Sequence, residues 1–160
     1  MKKTSQGFTL IELVIVITII AILAAIALPR YIAAQRDARV AKMQAVYGSI
    51  RTAAALAKAR CELDLAQGLT GVGTCGNAVP QVNMDGTLVS MTFRYPAASA
   101  TGIEAAASID AGADGLTIAG AGPRTFTGNG AATPANCVIS YTAAASATAA
   151  PVITVDTTGC

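Results

Sequence analysis

The chain contains no histidine and no tryptophan, and aromatic residues make up only 4% of its 160 positions. The first absence removes the side chain that most often carries general acid–base chemistry and zinc ligation near neutral pH. The second leaves any core to be built from aliphatic and small residues with a few Phe and Tyr. Charge is scarce as well. Asp, Glu, Lys and Arg together make up 12% of the sequence, and the formal net charge of +2 comes entirely from Lys2 and Lys3. The nine bases that remain of the eleven match the nine acids, so the chain lacks the basic surplus that phosphate binding needs, and no nucleic-acid partner is expected. The acids of the C-terminal half show no close pairing suited to catalysis. Asp110-Ala111-Gly112-Ala113-Asp114-Gly115 lacks the ligand density of a calcium loop and reads as a surface turn. No catalytic residue, metal site or cofactor is expected, and the chain does not read as an enzyme.

What the chain has in excess is apolar length. From Phe8 to Leu28, about 21 residues pass with one charge, and as a helix they span roughly 31 Å, the hydrocarbon thickness of a bilayer. That charge is Glu12. A carboxylate inside a span costs on the order of 2.5–3.5 kcal/mol on insertion scales, so it marks a functional position whose natural partner is an amine. The preceding residues 1–7 are short, polar and basic and meet the apolar run at Gly7. A secretory-type cut at Ala24-Ala25-Ile26-Ala27 would discard the span and its glutamate. A cut between Gly7 and Phe8 keeps both and creates an α-ammonium at Phe8, at i, i+4 spacing from Glu12 on a helix.

The Lys-rich leader, Gly7, Phe8-Thr9-Leu10-Ile11-Glu12 and the long apolar helix resemble the class III signal of type IV prepilins and of type II secretion pseudopilins. The resemblance implies cleavage after Gly7 by a membrane prepilin peptidase and methylation of the new amine at Phe8. It also implies that Glu12 neutralises the Phe8 amine of a neighbouring subunit during assembly. The implied partners are further copies of the same chain in a helical filament, the prepilin peptidase, the inner-membrane pilus assembly machinery, and the inner membrane itself before assembly. The implied product is an extracellular pilus used for adhesion or motility, with a secretion pseudopilin as the alternative. Pro29, directly after the span, matches the pilin pattern and is expected to bend the helix. Ala21 departs from it, standing where many pilins have a helix-loosening glycine. Tyr95-Pro96 with Ala100-Thr101-Gly102-Ile103-Glu104 after it resembles, more narrowly, the mannose-sensitive haemagglutinin pilins. A membrane-anchored binding module that never polymerises is a further reading, and it leaves Glu12 and the Gly7–Phe8 junction unexplained.

Four segments are expected: a cleaved leader at 1–7, a transmembrane and filament-core helix at 8–29, an amphipathic continuation at 30–66, and a disulfide-containing head at 67–160. The continuation rests on apolar residues at Ile32, Met43, Val46, Tyr47, Ile50, Ala54, Ala57, Cys61 and Leu65, mostly three or four apart. Strands are expected at Leu88–Tyr95, closed by Pro96, and at Leu116–Ile118, Cys137–Thr142 and Val152–Val155, with a short helix at Gly102–Ala107. The class is α+β, one long helix packed on an antiparallel sheet.

Arg30, Arg36, Arg39 and Lys42 follow the span and oppose a cytoplasmic N-terminus, yet long domains translocate largely regardless of charge. The even set Cys61, Cys75, Cys137 and Cys160 favours an oxidising compartment, which puts the head in the periplasm before assembly. Four cysteines allow three pairings. Cys61–Cys75 and Cys137–Cys160 are favoured because each brackets one turn-rich segment, and the second resembles the disulfide-bounded C-terminal loop of many pilins. The bases from Arg30 to Arg60 and the acids from Glu62 onward fit either contact between subunits or plain solvation.

Overall fold

The computed structural model describes residues 8–160. The expected leader, residues 1–7 with the processing glycine Gly7, lies outside the described residues. The chain divides between Asp37 and Ala38 into two compact units. Helix α1, Leu10–Ala66, supplies the first and begins the second.

In the second unit α1 buries Met43, Ile50, Ala53, Ala54, Ala57, Cys61 and Asp64, spaced so that they share one face. The expected stripe differs at its ends. Ile32 and Leu65 are exposed, and Asp64 holds the buried position one turn beyond Cys61. The reason is polar: the Asp64 carboxylate accepts the Cys75 backbone N–H at 3.3 Å and pairs with Arg60 Nε at 3.2 Å. A buried carboxylate is tolerated when it is paired and hydrogen-bonded in this way. Gly68, with φ of 65°, supplies the left-handed residue that ends the helix.

Seven strands follow: β1 (Gln81–Met84), β2 (Thr87–Thr92), β3 (Tyr95–Pro96), β4 (Leu116–Ala119), β5 (Arg124–Gly128), β6 (Val138–Thr142) and β7 (Val152–Asp156). All pairings are antiparallel. The class is α+β, but the strands form two sheets where one was expected, β1-β2-β3 and β4-β5-β6-β7. The expected strand Leu88–Tyr95 is in fact a hairpin. Phe93 and Arg94 turn the chain with φ of 48° and 68°, so that Thr92 faces Tyr95 and Met91 faces Pro96. Strands β1 and β5 had no sequence expectation. A π-helical turn, Ala100–Glu104, continuing as Ala105–Ala107, carries the chain toward the second sheet.

Each sheet packs on its own length of α1. Met43, Ile50 and Ala54 meet Leu116, Phe126, Ile139 and Tyr141 of the four-stranded sheet. Ala57 and Cys61 meet Val82, Val89 and Met91 of the three-stranded one. Gly128 shows how tight the first contact is, because a Cβ there would lie 3.0 Å from Cys137 Sγ and 3.2 Å from Met43 Sδ. The sheets are joined by a buried polar contact, in which the Tyr141 hydroxyl on β6 donates to the Pro96 carbonyl on β3 at 2.7 Å. Acids in the turns are used locally. Asp110 Oδ1 accepts the Gly112 and Ala113 N–H groups at 2.8 and 2.9 Å, and Asp114 Oδ2 accepts the Asp110 N–H at 3.0 Å.

Burial, reinforced by Tyr95, pushes the Tyr141 phenol above its ordinary value of 10.0, which keeps it a neutral donor. Tyr141→Phe leaves the Pro96 carbonyl without a partner and is expected to lower stability by about 1–2 kcal/mol in chemical denaturation. The folded phenol titrates above the unfolded one. Its contribution is therefore complete below the unfolded value and is lost as pH rises toward the folded one. The wild-type advantage over Tyr141→Phe should be constant below about pH 10 and shrink above it. An equal gap near neutrality and at about pH 11 would contradict this assignment.

Candidate functional site

The first unit is a helix start followed by uncovered apolar surface. Phe8 is 85% exposed, and α1 begins two residues later at Leu10. Thr9 stands at the N-cap and Glu12 three residues on, the spacing of a capping box. The contacts are reciprocal: the Glu12 N–H donates to Thr9 Oγ1 at 3.3 Å, while Glu12 Oε2 accepts the Thr9 N–H at 2.9 Å and the Thr9 hydroxyl at 2.8 Å. Two amide donors that the helix leaves open at its start are thus satisfied within the chain. Both bonds to the carboxylate converge on Oε2, and Oε1 has no hydrogen-bond partner among the described residues.

Beyond the cap the helix is long and apolar enough to cross a membrane, and the residues of that stretch are uncovered. Its hydroxyl at Thr18 donates to the Ile15 carbonyl at 2.8 Å, so this polar group is met within the helix, as hydrocarbon requires. Pro29 lies inside α1. Having no N–H, it leaves the Ala25 carbonyl without its usual helical partner. Ala21 is helical, as its propensity favours.

Phe8 and Glu12 therefore lie within one turn of the helix start, and Pro29 stands in the same unit. The four cysteines belong to the second unit, where Cys61 is bonded to Cys75 and Cys137 to Cys160. The sequence reading missed Thr9. Its signal was present, since Thr-x-x-Glu ahead of an apolar run is the capping-box pattern. Thr9→Val should speed hydrogen exchange of the Glu12 amide in detergent-solubilised protein by roughly three- to ten-fold, in line with the loss of an N-cap, while Thr9→Ser leaves it nearly unchanged. Identical exchange in all three proteins would show that the cap is not formed.

Residues 2–28 match the family described as the prokaryotic N-terminal methylation motif. Over 53 residues the chain is 49% identical to the type IV major fimbrial protein FimA of Dichelobacter nodosus, covering 33% of this chain and 34% of that protein. Over 71 residues it is 41% identical to the type IV narrow pilus major component PilA5 of Thermus thermophilus, covering 44% of this chain and 54% of that protein. The chain thus spans between a third and about half of the length of these curated relatives. No solved structure matches it. The chain carries a type IV prepilin motif at its N-terminus and is homologous there to type IV major fimbrial proteins.

Proposed function

We propose that this chain is a structural subunit of a type IV pilus, anchored in the inner membrane by residues 8–29 and then polymerised through that helix into an extracellular filament. The observation that carries the reading is Glu12, a carboxylate at the start of an uncovered apolar helix. One of its oxygens is engaged by its own helix cap and the other has no partner among the described residues. Cleavage between Gly7 and Phe8 creates an α-ammonium one turn away. In a bundle of such helices the amine of one copy meets the second oxygen of another, and each cancels the other's cost of leaving water. Methylation of the amine retains its charge.

The remaining division follows from this. Residues 1–7 are a leader removed by a prepilin peptidase, Pro29 sets a bend after the span, residues 30–66 continue the helix, and residues 67–160 complete the head. Two disulfides, Cys61–Cys75 tying the helix to the head and Cys137–Cys160 within the head, suit an oxidising compartment outside the cytoplasm. The chain acts by assembly and not by catalysis.

Intact-mass analysis of the wild-type protein should find Phe8 as the first residue, carrying one methyl group. Gly7→Val should block this cut while leaving insertion in the membrane intact. Glu12→Val should be processed and inserted, since removing the carboxylate lightens the span, yet form few or no filaments because each incoming amine would be buried unpaired at a cost of several kcal/mol. Electron microscopy of sheared surface material reads the outcome. Wild-type filament yield from Glu12→Val would overturn the pairing, and material confined to the periplasm would move the assignment to a secretion pseudopilin.

A further inference from the structure

Two surface features of the second unit carry opposite charge. The first is a groove of about 440 Å³ lined by Arg51, Ala55 and Lys58 of α1 and by Tyr95, Pro151 and Ile153. Lys58 Nζ stands over the Tyr95 ring, 5.1 Å from its centroid, and 3.7 Å from Glu62, which holds the ammonium against the aromatic face. Arg51 is exposed and has no ion-pair partner among the described residues. The groove thus sets two cations beside an apolar floor, which suits a carboxylate borne on a narrow turn.

The second feature is such a turn. Asp85 and Gly86 join β1 to β2 with φ of 50° and 84°, and Met84 faces Thr87 across the hairpin. The Asn83 side chain accepts the Gly86 N–H at 2.9 Å and fixes the tip. Among the side-chain carboxylates of this unit, Glu62, Asp64 and Glu104 are in ion pairs. Asp110, Asp114 and Asp156 accept local N–H groups. Asp85 has no such partner among the described residues and is exposed. Strand β2 separates it from the Thr92–Tyr95 end of the sheet by roughly 20 Å, so the groove of the same copy is out of its reach.

We propose that the Asp85–Gly86 tip of one copy docks in the groove formed by Arg51, Lys58 and Tyr95 of the next, a contact between subunits that rests on the filament reading above. The two surfaces differ, so the contact is heterologous, the kind that builds an open helical filament when the rotation between successive copies does not close a ring. Its charges fix register and partner choice more than they supply affinity.

The test uses filaments sheared from cells that produce two full-length variants together, Asp85→Asn and Lys58→Arg. Asn keeps the turn geometry and removes the charge. A water-soluble carbodiimide then condenses a carboxylate with a touching amine. The Asp85 side-chain carbonyl carbon forms an amide bond to Lys58 Nζ, the amine loses a proton, and the carboxylate oxygen leaves with the reagent as its urea. In this mixture an Asp85–Lys58 link can form only between two copies. Mass spectrometry should find that linked peptide in the mixed filaments. Adding Arg51→Glu to the Asp85→Asn chain should lower its yield at least five-fold. Filaments that form but lack the link overturn the docking alone, and a yield unchanged by Arg51→Glu overturns the charge recognition behind it. A wild-type chain that forms no filaments overturns the docking together with the filament reading.

Discussion

A single face of α1 serves as the common wall of both sheets, and the second unit depends on that wall being nearly flat. The chain has few large side chains to fill space, so density comes from close approach. Ala53, Ala54 and Ala57 let the helix backbone come near the strands, and Gly128 does the same from the sheet side, where the sulfurs of Met43 and Cys137 occupy the room that a side chain would need. A small domain buries a limited share of its surface on folding, which makes covalent closure valuable. Each of the two core clusters contains one disulfide, and each contributes on the order of 3 kcal/mol on a chain-entropy estimate.

The long helix, the α+β class and much of the four-stranded sheet could be read from the sequence because their signals are local. Apolar residues three and four apart announce α1, and Val138-Ile139-Ser140-Tyr141 and Val152-Ile153-Thr154-Val155 are rich in β-branched and aromatic residues. What escaped the reading depends on partners distant in the chain. Gln81–Met84 is a weak strand by composition and becomes a strand by pairing with β2, while Arg124–Gly128 holds Thr125, Phe126 and Thr127 but is only five residues long and is set by pairing with β4 and β6. The Phe93-Arg94 turn carries no Gly or Asn to announce positive φ, so one hairpin passed for one strand. Asp64 looked like a surface acid because its reason for burial, the Cys75 amide, lies eleven residues away.

At the helix start the balance was different. Gly7, Phe8 and Glu12 stand out in sequence because a charge beside long apolar surface is anomalous wherever it occurs. Thr9, between them, has an ordinary residue type and an ordinary position, and its part emerges only from the reciprocal hydrogen bonds with Glu12. Those bonds restrict the carboxylate. It does not swing freely, because its own helix end already holds and orients one oxygen, which reduces its rotamer freedom.

The cysteines are all buried, with Cys61 and Cys137 at 0%, Cys160 at 1% and Cys75 at 8% exposure. A thiol dissolved in the surroundings must reach a sulfur atom along the S–S axis to exchange with it, and the layers packed around these sulfurs restrict that approach. Reduction of the folded head is therefore slowed by the burial of its sulfurs, and its rate follows both how often the domain opens and how much thiolate is present when it does.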